Sequence, residues 1–245
     1  IGKTHLLRAI ELFHESHEDV ALELNVTRYP FSFVGDSRGG GGSLKGADDG
    51  DQLTETWHDA LLGYMGNSHA ARRQAEEGMR AQGAEAGIAF DYGVKAQWQP
   101  VDSQRLLLWA GRFGLQEEFM SNLNHRHFEQ RQSASSRVTL LDAAEAVGLD
   151  RARADAFLDT DELADVVWHW YGATIREKKI HSIPLFSFSV PSIDAVGGPF
   201  RESGADEAYV VRGSMDTPYF AELLEVIARD WRKGKRSYDA RANPY

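Results

Sequence analysis

The run Lys179-Ile180-His181-Ser182-Ile183-Pro184-Leu185-Phe186-Ser187-Phe188 puts an imidazole, a hydroxyl and an X-Pro bond within four residues, then turns apolar. Proline has no backbone N–H, so it suits the first position of a strand or a turn and not a central ladder position. An X-Pro bond is cis at modest cost, and persists so where a tight loop needs it. On its own, Ile183-Pro184 reads as the end of a loop. Followed by a strand, a second strand and a helix, it reads as a cis-proline loop. Cysteine is absent, which excludes disulfides, thiolate nucleophiles and zinc–thiolate sites within these residues.

Other groups of reactive types are weaker. Gly2-Lys3-Thr4 resembles the end of a phosphate-binding loop, but the earlier glycine and the preceding strand are missing. Val138-Thr139-Leu140-Leu141-Asp142 imitates a metal-binding aspartate strand, yet its Ala-rich continuation to Gly148 is helical. His14 and His17, with Glu11 and Glu18, read as a solvated helix face. His125 and His127 are two residues apart and do not share a helix face. No metal site is expected. Trp168, Trp170 and Tyr171 read as core or as the wall of a ligand cleft, not as a cofactor box.

The elements that position these residues follow from hydrophobic period. The 245 residues are 42% hydrophobic, enough to bury a core in one large domain or two small ones. Ile1 to His17 carries Leu6, Leu7, Ile10 and Phe13 on one helical face. Val20 to Arg28 alternates Leu22, Leu24 and Val26 with polar residues, the period of a half-buried strand closed by Tyr29-Pro30-Phe31. Gly35 to Asp51 is a Gly- and Asp-rich loop. Helices are expected over Thr54–Tyr64, Ser68–Gly87, Asp102–Phe113, Leu115–Phe128, Ser136–Val147, Arg151–Leu158 and Asp161–Lys178. The proline strand follows, then a Gly- and Pro-rich insertion from Val190 to Ala208. A short strand over Ala208–Arg212 comes next, then a final helix with Thr217 at its N-cap and Phe220, Leu223, Leu224, Ile227 and Trp231 inward.

Charge narrows the partners. The formal net charge is -10, so phosphate backbones and anionic membranes are not attracted in general. The basic cluster from Arg229 to Arg236 suits a helix C-terminus. No apolar run approaches the roughly 18 residues of a membrane span. A soluble protein of the cytoplasm or an organelle lumen is expected in preference to a secreted one.

In this order the chain resembles the DsbA-like thioredoxin-domain family, in particular its FrnE-like branch, beside kappa-class glutathione transferases and 2-hydroxychromene-2-carboxylate isomerases. Ile1-Gly2-Lys3 is similar to the residues after that family's Cys-x-x-Cys-Tyr element, and Tyr29-Pro30-Phe31 to its Arg-Pro-Phe strand end. The stretch from Gly83 to Phe90 resembles its Gly-Ile-x-Phe segment, and Ser103 to Ala110 its Ala-His-Arg-Leu-Leu helix. Ser182-Ile183-Pro184-Leu185-Phe186 resembles its Gly-Val-Pro-x-Phe loop, with His181-Ser182 departing at a substrate-contacting position. Gly213-Ser214-Met215 stands where the family has Gly-Ala-Gln.

The resemblance implies an α/β, thioredoxin-like fold with a large inserted all-helical domain. Residues 1–34 and 179–245 would form the thioredoxin-like part, 52–178 the helical insertion and 35–51 a flexible loop. It implies a thiol–disulfide oxidoreductase whose catalytic Cys-x-x-Cys and first strand lie upstream of Ile1. A thiolate at a helix N-terminus is the attacking species in such exchange. No catalytic residue is then expected in this chain. Substrate would be bound by His181, Ser182, Ile183, Pro184, Gly213 and Ser214. The substrate would be a peptide or glutathione thiol or disulfide, with no cofactor. Upstream residues or a partner chain would fill the missing strand. Two alternatives stay open: a glutathione-dependent transferase or isomerase of the kappa-related group, and a non-catalytic binding or assembly subunit.

Overall fold

The computed structural model describes residues 1–18, 20, 22–32, 35–36, 55–96, 99–190 and 209–234. The chain divides into two compact units, one of residues 1–25 and 174–245, the other of residues 26–173.

In the first unit, helix α1 (Gly2–Ser16) and helix α9 (Thr217–Lys233) pack against each other. Apolar residues three and four apart give each helix one buried face. Ala9 and Phe13 of α1 close on Phe220, Leu223, Leu224, Ile227 and Ala228 of α9. Strand β3 (Leu185–Phe188) pairs antiparallel with β4 (Tyr209–Arg212), Leu185 opposite Arg212 and Phe188 opposite Tyr209. Side chains alternate across a strand, so Tyr209 and Val211 are buried while Arg212 is exposed. Phe186 and Phe188 lie against the same core. Asp216 caps α9, its carboxylate accepting from the Tyr219 N–H, with Pro218 in the first turn. The expected Thr217 cap is therefore displaced by one residue: a carboxylate is a stronger acceptor for the free N–H groups than a hydroxyl. The helix closes at Gly234, whose φ of 64 is the left-handed conformation of a C-terminal stop.

The strand expected at Leu22–Val26 does not form. Residues 22–32 join no ladder, and Leu24 and Val26 remain exposed at 38% and 47%. Alternation fits a pleated surface, but a strand exists through its neighbour's hydrogen bonds. None of the described residues supplies them. The Arg28 N–H instead donates to Oε1 of Gln116, 3.0 Å away, and the Arg28 guanidinium pairs with the Glu117 carboxylate.

The second unit is mainly helical: α2 (Trp57–Tyr64), α3 (His69–Glu85), α4 (Val101–Gly111), α5 (Gln116–Glu129), α6 (Arg137–Ala146), α7 (Arg151–Leu158) and most of α8 (Ala164–Arg176). Strands β1 (Glu55–Thr56) and β2 (Lys95–Ala96) form a two-residue antiparallel pair. The first expected helix accordingly starts at Trp57 instead of Thr54. Thr56 and Asp59 make a reciprocal capping box there, which fixes the start. Helices α4 to α7 enclose Leu106, Leu107, Phe119, Leu123, Leu140 and Phe157. Arg105 is 2% exposed within this unit. Its Nε donates to the Glu162 carbonyl at 2.8 Å, its Nη2 to the Thr160 carbonyl at 2.5 Å and its Nη1 to Asp102 at 2.6 Å. A buried guanidinium thus satisfies carbonyls of the loop that follows α7.

Candidate functional site

The loop ahead of β3 is fixed at both ends. Thr174 accepts from the Ile180 N–H at 2.9 Å, and the Ile180 side chain is 4% exposed. Lys179, at φ 53, turns the chain there. His181 and Ser182 are exposed, as is Ile183 at 48%. The Ile183–Pro184 peptide is cis. The Pro184 carbonyl accepts from the Gly213 N–H at 2.8 Å. Gly213 leaves β4 at φ 94, a conformation that side-chain-bearing residues rarely adopt. His181–Pro184 and Gly213–Ser214 thereby meet at one end of the β3–β4 pair.

The start of α1 lies beside them. A Cβ placed on Gly2 would stand 3.1 Å from the Phe186 ring and 3.3 Å from the Ser214 Cα. Glycine lets the helix end approach the strand and the turn this closely. One turn further on, His5 Nδ1 and Thr217 Oγ1 are 2.9 Å apart. They join the first turns of α1 and α9. Neither His5 nor Thr217 stands out in the sequence as a pair, since their partnership spans 212 positions. No hydrogen bond links His181 with Ser182, so the loop offers no base-activated nucleophile among the described residues. What it offers is exposed backbone and side chains around Ile183.

Residues flagged elsewhere have structural partners. His125 pairs with Glu129 and Gln130 on the surface of α5. His127 is 7% exposed, and its Nε2 accepts from the Trp57 indole N–H at 3.1 Å. Burial holds its pKa down, from 6.5 to about 4. His17 stacks on Phe13 and pairs with Glu225. Lys3 and Thr4 lie inside α1, and Asp142 lies inside α6, where it pairs with Arg151. Tyr171 is buried with Val101 and Val167, which pushes its phenol pKa up. Trp170 meets Tyr29 edge to face at 4.6 Å. Among the described residues no helix is long and apolar enough to cross a membrane.

Residues 60–173 match the family model of the DSBA-like thioredoxin domain. The match covers a little less than half of the chain, which is similar to that family over those residues. Its structure is similar to the crystal structure of a probable DsbA oxidoreductase from Streptomyces coelicolor, with a TM-score of 0.67 at 19% identity. The likeness covers 95% of this chain and 84% of the other. No curated protein matches the sequence. The fold of this chain is thus thioredoxin-like with a large helical insertion. The family match itself lies within the helical unit.

Proposed function

We propose that the protein is a DsbA-like, FrnE-like thiol–disulfide oxidoreductase, with His181–Pro184 and Gly213–Ser214 as its substrate-binding loops. The observation that carries this reading is the approach of the α1 N-terminus, at Gly2, to Phe186 and Ser214 beside the proline loop. A thiol held at that helix end would face the loop and be acidified by the helix dipole. Residues 1–245 contain no cysteine, so the reading requires thiols contributed from outside them. An extended peptide, or the peptide portion of glutathione, would pair with the backbone at Ile183. Exchange then proceeds by thiolate attack on a substrate sulfur, a mixed disulfide, and its resolution by a second thiol.

A second reading, a non-catalytic binding subunit on the same fold, is favoured by the cysteine count alone. Turnover of a model peptide disulfide separates the two. Residues 1–245 should show none above a protein-free control, and a longer natural chain bearing a Cys-x-x-Cys before Ile1 should restore it. Absence of turnover with such cysteines in place would sink the oxidoreductase reading.

A further inference from the structure

We infer that the proline loop selects acidic substrates: polypeptide segments that carry Asp or Glu beside the reacting sulfur. The inference rests on the functional reading above for where the substrate lies, and on charge for what the substrate is. The chain as a whole carries a formal charge of -10. Among the described residues of the loop and the strand end beside it, the balance reverses. Lys179 and His181 are exposed on the loop, and Arg212 is exposed where β4 pairs with Leu185 beside Pro184. Among the described residues the Lys179 and Arg212 side chains make no hydrogen bond or ion pair. Among the described residues Glu177 and Asp216 are the acids nearest in sequence to these cations, and Asp216 is committed to capping α9.

Partnered surface charges are largely compensated, whereas unpartnered ones retain their field for an incoming ligand. A cationic rim on an anionic protein attracts acidic segments to this place and repels them from the rest of the surface. Such complementarity governs selection and encounter more than ultimate affinity. The Arg212 guanidinium can grip a carboxylate with two parallel N–H bonds, and the Lys179 ammonium acts as a point charge. A substrate strand running past Ile183 would then prefer acidic residues on either side of its sulfur.

The test uses the 245-residue chain and three synthetic octapeptides with serine in place of the reacting cysteine. Flanking residues are Glu in one, Gln in the second and Lys in the third. Calorimetric titration should show the Glu peptide binding about tenfold more tightly than the Gln peptide at low salt. That preference should shrink towards unity near about 0.5 M salt. Lys179→Glu with Arg212→Glu should reverse the order of the Glu and Lys peptides, and Lys179→Gln with Arg212→Gln should flatten it. Both residues are exposed, and circular dichroism checks that the fold is kept. Equal binding of Glu and Gln peptides, no binding of any, or a preference untouched by charge reversal would each overturn the inference. Turnover assays on a longer natural chain that carries a Cys-x-x-Cys before Ile1 keep the two ideas apart. Disulfide exchange without charge preference leaves the functional reading standing and removes this one; charge preference without exchange does the opposite.

Discussion

The Tyr209 hydroxyl donates to the Asp230 carboxylate at 2.7 Å, with both residues fully shielded from solvent. The bond ties the first residue of β4 to the last turn of α9. It lies at the end of the strand pair away from Pro184, since Tyr209 is opposite Phe188 and Arg212 is opposite Leu185. Tyr209→Phe removes a donor from a buried carboxylate and should cost about 1–3 kcal/mol. Urea unfolding of the single variants and of Tyr209→Phe with Asp230→Asn gives the coupling. An additive double variant would show the pair to be energetically idle.

Arg105 should tolerate nothing. Its guanidinium serves the Glu162 and Thr160 carbonyls and Asp102 together, and lysine cannot reproduce that fork. Arg105→Lys and Arg105→Ala should each destabilise by roughly 3 kcal/mol or more, as expected when a buried ionic contact is broken. A thermal midpoint within a degree or two of the parent for Arg105→Lys would contradict the assignment.

His127 makes stability depend on pH. Its pKa is lowered in the fold to about 4 from 6.5, so between those values the unfolded chain binds more protons than the folded one. Stability is full above pH 6.5 and falls as pH drops to about 4, by roughly 3 kcal/mol at the limit. Below that the loss is constant. Denaturant midpoints measured from pH 7 to pH 4 should show this slope, and His127→Gln should lack it. Trp57, whose indole N–H donates to the ring, supplies a fluorescence reporter.

Gly2 sets how closely α1 approaches the strand pair. Gly2→Val must displace the Phe186 ring or the Ser214 backbone, a clash worth about 1–3 kcal/mol by analogy with overpacked cores. Gly2→Ala should cost less because only one carbon intrudes. If Gly2→Val leaves both the unfolding midpoint and the amide shifts of Ser214 unchanged, the contact is not tight in solution.

Local signals carried most of the helices. Asp150 marks the start of α7, and its boundaries Arg151 and Leu158 follow from the cap and the apolar period. Ser68 does the same for α3. Pattern failed where structure depends on a distant neighbour. Leu22, Leu24 and Val26 alternate as a strand should, yet no described segment pairs with them. The two-residue pairing of Glu55–Thr56 with Lys95–Ala96 is too short to leave any period. The site shows the same division. Pro184 and Gly213 are visible as special backbone residues, each in its own stretch. Their mutual hydrogen bond, the approach of Gly2 and the His5–Thr217 contact join parts of the chain that sequence period does not connect.

The packing of α1 on α9 sets a timetable for synthesis. Helices α4, α5, α6 and α7 pack on their chain neighbours, so that core can assemble as soon as Leu158 has emerged. The first unit waits, because the face of α1 around Ala9 and Phe13 is covered by residues from Phe220 onward. Ribosome-stalled chains ending before Thr217 should protect α4 to α7 from protease while α1 is still cleaved, and chains that expose α9 should protect both. Throughout that interval the newly made α1 presents an uncovered apolar face, an opening for chaperones that closes only when the last helix arrives.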